Sequence, residues 1–384
     1  MSFKVKLNLI LCAALVVMTS AKAQSPYISK VFEYRPAPGQ FVNDLPEWEE
    51  GDDENDMRLK AEECLADHEQ IMISLGGWGG YIVFGFDHTI PNVKGEYDMK
   101  ILGNAFYANA NPKDTVALGG SAEPGIVMVS YDANGNGKPD DKWYELAGSE
   151  HSNPLTKKNY KCTYYRPSAN HVATPDKEYS YLNDTTYVRW EDNYGETGYI
   201  SKNIYHKQNY YPNWIEEDSY SFTGTRLRNN GIDESGTGHY YVLYCFDWGY
   251  VDNQPNTSGY TATDEVMDVD IPHVSEFMID WAVDEDGNHV ELPGVDFVKV
   301  YTGVNQYNGW LGEASTEVMD AWDLHMLDAD GKDVSTVIST ANTSNMQNSP
   351  TGMFRLDGQR VSDLSKPGMY IIKTKTNTKK MFVK

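Results

Sequence analysis

Cysteine is scarce, with 4 in 384 residues. Cys12 lies in the leading apolar stretch, and Cys64, Cys162 and Cys245 sit at spacings that match no zinc pattern. An odd count at wide separations leaves two readings open, one disulfide in an oxidising space or buried free thiols. Basic charge is also short: 32 Lys and Arg face 56 Asp and Glu, a formal net charge of −24. Such a surface repels phosphate backbones, so nucleic acid is excluded as an expected partner. Familiar catalytic signatures are missing, with no Gly-x-Ser-x-Gly elbow and no His-Glu-x-x-His. So many carboxylates prevent any one pair from standing out as a glycosidase pair. His88, His239 and His325 lie in or beside expected strands and read as structural. The run Gly76–Gly80 lacks the following helix and Lys-Ser/Thr of a nucleotide loop. It reads as a tight strand connection carrying an exposed Trp78.

What is there begins at the N-terminus. Lys4 and Lys6 precede an apolar stretch from Leu7 to Val17, and Ala21-Lys22-Ala23 has the small-x-small pattern of a signal peptidase site. Residues 1–23 are expected to be a cleaved signal peptide, because the apolar run is too short for a permanent anchor. Cys12 sits inside that run, too early for a lipid-modified first residue. The expected location is therefore extracellular or on an outer-membrane surface.

The body of the chain reads as mainly β. Expected strands are 71–75, 81–86, 97–102, 126–131, 142–147, 187–190, 239–246, 275–281 and 295–301, with turns such as Asp286-Gly287 and Pro293-Gly294 between some of them. Residues 56–69 form the one fair helix, with Met57, Ala61, Cys64 and Leu65 at helical spacing. Residues 24–55 read as irregular. The stretch 151–235 reads as long loops or a subdomain. The expected architecture is a β-sandwich or jelly roll with long loops over residues 24–331, divisible into two subdomains. A Ser/Thr/Asn-rich linker at 332–350 and a small β domain at 351–384 follow.

Two kinds of candidate site emerge. The loop Asp132-Ala133-Asn134-Gly135-Asn136-Gly137-Lys138-Pro139-Asp140 spaces oxygen side chains at positions 1, 3, 5 and 9, with glycine at 6. That spacing aims Asp132, Asn134, Asn136 and Asp140, with the Lys138 carbonyl, at one structural Ca²⁺. Trp143 replaces the bidentate glutamate of an EF-hand, and an Asn-Gly hairpin turn without metal is the competing reading. The second kind is aromatic. Of 27 tyrosines, 16 fall between Tyr160 and Tyr250. Tyrosine and tryptophan offer apolar faces with polar tips, which suit stacking on polar rings. Trp78, Trp248 and Tyr250, with Asn305, Tyr307 and Trp310, are the candidate ligand-binding residues.

The C-terminal stretch carries a resemblance. Met353-Phe354-Arg355-Leu356-Asp357-Gly358-Gln359-Arg360-Val361, then Gly368-Met369-Tyr370-Ile371 and a basic, apolar last strand ending at Lys384, resemble the sorting domain of type IX secretion cargo. The resemblance implies passage across an outer membrane. A second one is broader. Ser74-Leu75-Gly76-Gly77, Phe84-Gly85-Phe86-Asp87, Gly103-Asn104-Ala105-Phe106, Glu123-Pro124-Gly125, the stretch from Asp132 to Glu145, Asp247-Trp248-Gly249-Tyr250 and the stretch from Val295 to Thr302 together resemble a family of exported bacterial "cell surface proteins". Related proteins look like companions of outer-membrane uptake systems, including those for cobalamin. The resemblance implies capture of a small polar ligand, a glycan or a corrinoid, for an outer-membrane transporter. A secreted carbohydrate-active hydrolase and a structural or adhesion envelope protein are the alternatives.

Overall fold

The computed structural model describes residues 24–107, 119–256 and 273–327, and the backbone of the strands Gly352–Arg355, Arg360–Val361, Gly368–Lys373 and Thr378–Val383. The expected signal peptide and linker lie outside the described residues. The chain is mainly β. It divides into two units, Met1–Thr336 and Val337–Lys384.

The first unit is built on a six-stranded antiparallel sheet in the order Lys30–Arg35, Tyr81–Pro91, Gly294–Thr302, Gly125–Ser130, Trp143–Leu146, Ala282–Val283. Its central strands are runs of β-branched and aromatic residues, as expected of strands buried on both faces. Ile82, Phe84, Val127, Val129, Val298 and Val300 are all but inaccessible and belong to one continuous core. The strand Lys30–Arg35 falls in a stretch read as irregular, although Val31 and Tyr34 are buried within it.

The stretch 151–235, read as long loops or a subdomain, holds a second antiparallel sheet. Its order is Thr197–Asn203, Leu182–Asp192, Lys157–Tyr165, Ser219–Arg226. In Lys157–Tyr165 the buried residues are Tyr160, Cys162 and Tyr164, a strict alternation in which tyrosine does the work of valine. Tyr164, Tyr220 and Phe222 meet Trp78 and Tyr34 in the same core cluster, so tyrosines join this sheet to the six-stranded one.

The helix runs Glu54–Leu65. Asp53 caps it, accepting from the N–H groups of Asn55 and Asp56, while the Asp56 carboxylate accepts from the Asp53 N–H at 3.1 Å. Met57, Ala61 and Leu65 bury one face against the core. No helix among the described residues is long and apolar enough to cross a membrane.

The Gly76–Gly80 run lets two segments approach too closely for any side chain. A Cβ at Gly80 would lie 1.9 Å from the Leu75 carbonyl oxygen, and one at Gly76, where φ is +66°, would lie 2.0 Å from that of Ala37. Trp78 is accordingly not exposed. It is 1 % accessible, its Nε1 donates to the Thr225 carbonyl at 3.2 Å, and its ring meets Tyr160 edge-on at 4.6 Å.

The second unit is a four-stranded antiparallel sheet in the order Arg360–Val361, Gly352–Arg355, Gly368–Lys373, Thr378–Val383.

Candidate functional site

A cleft of about 250 Å³ opens where the tyrosine-rich sheet meets the segment 304–314. Three of the expected ligand residues, Trp78, Asn305 and Tyr307, line it. Neighbouring strands add Trp190 and Tyr199. Trp190 pairs with Gly198 across the ladder, and a Cβ at Gly198 would sit 2.6 Å from the indole. The glycine thus lets the tryptophan lie flat over the next strand. Tyr199 and Tyr307 are half-exposed at the mouth.

The segment 307–313 is a tight reversal. Tyr307 bridges Glu313, the Asn308 N–H donates to Gly312 at 2.9 Å, and Gly309 and Gly312 take positive φ. Trp310 stands half-exposed at its tip. Gln40 anchors the reversal, with its Nε2 donating to the Leu311 carbonyl at 2.7 Å and its own N–H to Glu313 Oε1 at 2.6 Å.

Glu313 is the residue that sequence reasoning missed. It lines the cleft, is 7 % accessible, and keeps its second oxygen, Oε2, without a hydrogen-bond partner. Burial raises its carboxyl to about 7 against the lowering effect of the Gln40 N–H. An unpaired buried oxygen of this kind costs about 1–3 kcal/mol, more when charged. Nothing local marks Glu313 in a chain with 56 acidic residues.

A larger hollow of about 710 Å³ lies beside Arg35 and Arg58. Its two arginines are already paired: Arg35 with Glu54 at 2.9 Å and Glu217 at 2.8 Å, and Arg58 with Glu62 at 3.2 Å. A third hollow of about 240 Å³ holds Glu145, His151, Lys158 and Thr225. The Lys158 ammonium donates to Glu145 Oε1 and Thr225 Oγ1 at 3.3 Å, and His151 Nδ1 lies 2.7 Å from it and 2.8 Å from Glu145 Oε1. Burial pushes Glu145 up, yet the His151 hydrogen bond, the Lys158 charge and the Thr225 hydroxyl outweigh it and hold the carboxyl low. Neither hollow is lined by a buried carboxylate oxygen without a partner, although Trp214 Nε1 beside the first is a buried donor without one.

The remaining aromatic candidates are elsewhere. Trp248 is half-exposed and packs on Trp281 at 4.6 Å, beside a recess of about 50 Å³. Tyr250 is core, its hydroxyl accepting from the Glu150 N–H at 3.0 Å. Neither lines the cleft.

The loop expected to bind Ca²⁺ is a hairpin connection, because Ser130 pairs with Trp143 across its base. Asp132 accepts from the N–H groups of Asn136 at 3.0 Å and Gly137 at 2.8 Å. Asp140 accepts from the Asn134 amide at 3.0 Å and the Asn136 amide at 3.0 and 3.1 Å. Hydrogen bonds from Asn134 and Asn136 hold the Asp140 carboxyl below its usual range. The side chains converge, and Lys138 contributes a backbone contact from its N–H to Asn136 Oδ1 at 2.8 Å.

A second acidic group was not foreseen. Glu123, Asp252 and Glu317 bring one oxygen each within 4.8 Å of one another. Asp252, at φ +56°, accepts from Asn104, Ala105 and Glu317 N–H groups at 2.7, 2.7 and 2.9 Å. Burial first, then mutual repulsion, pushes Glu123 and Glu317 well up, and burial raises Asp252 to about 7. Such a trio either shares protons or holds a hard cation. Cys64, Cys162 and Cys245 are free thiols, and burial pushes Cys162 and Cys245 up to about 12, which makes them unreactive.

No protein-family model matches this chain, and no curated protein is significantly similar to it.

Proposed function

We propose that this chain is an exported, non-enzymatic binding protein that captures a neutral, hydroxyl-rich ligand, a glycan, for an outer-membrane transporter. The observation that carries the reading is Glu313 Oε2, unpaired and buried in a cleft walled by Trp78, Trp190 and Tyr307. A sugar hydroxyl supplies the missing donor, and aromatic faces pack on its C–H face. Arg226 lines the same cleft and disfavours a cationic ligand. Of the two ligand classes implied by the sequence resemblance, the volume supports the glycan. About 250 Å³ is below the ~300–1,000 Å³ typical of pockets that enclose drug-sized molecules. A corrin macrocycle is larger still. Glu313 is the one carboxylate in the lining among the described residues, and glycoside hydrolysis generally needs two. That supports holding over cleaving. A structural Ca²⁺ in the loop Asp132–Asp140 belongs to the same reading, as a brace for the sheet edge. The test is a binding screen against glycans and cobalamin. Retention of a glycan by the protein, and its loss in Glu313→Gln, supports the proposal. Binding of cobalamin alone, or of nothing, defeats it.

A further inference from the structure

Resting on that reading, we infer that the cleft takes one unit of a linear oligosaccharide whose neighbouring units lie along the rim toward Trp310, so that a free monosaccharide is a poor ligand. At about 250 Å³ the cleft is small beside the ~300–1,000 Å³ of pockets that enclose drug-sized molecules, which suits one ring rather than several. Beside the polar Asn305 and Gln306, aromatic rings stand at its mouth. Tyr199 and Tyr307 stand there 46 % and 44 % exposed, and Trp310 is 44 % exposed. These are large apolar faces left in water, where isolated sugars have no means to cover them.

The geometry of the reversal sets their order. Tyr307 and Glu313 are bridged partners at its stem, and the turn Gly309–Leu311 forms its tip. The rise per residue in extended and 3₁₀ backbone puts Trp310 roughly 6–10 Å beyond Tyr307. That is the reach of a neighbouring ring in a chain rather than of a substituent on the same ring. The tip is held: Gln40 ties Leu311, and the Leu311 and Gly312 N–H groups close on the Asn308 and Gly309 carbonyls at 3.3 and 3.1 Å. A fixed ring loses little freedom when a sugar stacks on it. The unpaired Glu313 oxygen is the independent observation that places the innermost unit at the cleft floor.

Calorimetric titration of the full protein with gluco-, manno- and xylo-oligosaccharide ladders of one to six units tests this. For the sugar that binds, affinity should rise about tenfold or more between one and three units and then level off. Trp310→Ala should remove the gain from added units. Glu313→Gln should weaken every length alike. Trp310 is half-exposed, and an unchanged melting curve for Trp310→Ala shows that the variant is folded. A monosaccharide that binds as tightly as its hexamer overturns the inference and leaves the glycan reading standing. Failure of every length of every ladder to bind overturns both.

Discussion

The Gln40 backbone N–H holds Glu313 Oε1 at 2.6 Å across 273 positions of sequence, while Glu313 Oε2 has no partner. One oxygen is thus fixed by the protein and the other is left for a ligand. The first half of that arrangement sets the direction of the carboxylate, and the second sets the cost that binding relieves.

That cost predicts a pH dependence. Burial raises Glu313 from 4.5 and Asp252 from 3.8 to about 7 in the folded protein. Between those values the unfolded chain has lost protons that the folded chain still holds, so stability falls as pH rises from about 4 to about 7. Above pH 7 this contribution is level. Urea unfolding across pH 4–8 should show the decline, and Glu313→Gln should make it shallower. An unchanged profile in that variant contradicts the assigned environment.

His88 adds to the same decline. Its two ring nitrogens each lie 3.0 Å from a carboxylate, Asp87 on one side and Asp323 on the other. Burial alone would lower its pKa, but hydrogen bonds donated to both carboxylates outweigh it and raise it above 6.5. The stability it contributes is fully present below pH 6.5 and is lost as pH rises through the folded value. His88→Gln should cost stability at pH 5.5 and much less at pH 8.5, measured by the same unfolding curves.

Trp78 and Gly80 are structural positions. Trp78→Ala opens a cavity beneath the cleft and should cost about 3–5 kcal/mol. Gly80→Ala drives a methyl group into the Leu75 and Ala37 backbone, 1.9 and 2.2 Å away, and should prevent folding or lower Tm sharply. A Gly80→Ala protein with native Tm contradicts the close approach of the two segments.

For the loop Asp132–Asp140, a chelator should lower Tm, and added Ca²⁺ should restore it. A cation at 100-fold its Kd contributes about 2.7 kcal/mol. Asp132→Asn should abolish the response. If Glu123→Gln abolishes it and Asp132→Asn does not, the ion belongs to the buried carboxylate trio instead.

Strands carried by continuous apolar runs, such as Tyr81–Pro91 and Gly294–Thr302, were legible in the sequence because short runs of valine, isoleucine and phenylalanine beside turn residues have few other uses. The strand Lys157–Tyr165 was not, since its buried positions are tyrosines and a cysteine between lysines and threonines. Tyrosine there satisfies its hydroxyl internally: Tyr164 donates to the Trp78 carbonyl at 2.9 Å, and Tyr220 donates to that of Pro36 at 2.9 Å. The same composition reads equally well as a binding surface. The site was legible only where it is local. Asn305 and Tyr307 share one short segment with Glu313, whose burial no local pattern shows, and Trp190 and Tyr199 reach the cleft from separate strands. Trp248 and Tyr250 had the same local composition and lie outside it.

The most direct measurement compares one glycan titration across three variants: Tyr307→Ala, Glu313→Gln and Trp248→Ala. The account predicts that the first two lose affinity by about tenfold or more and that Trp248→Ala binds as the unaltered protein does. Full binding by the two cleft variants, with loss in Trp248→Ala, would contradict it.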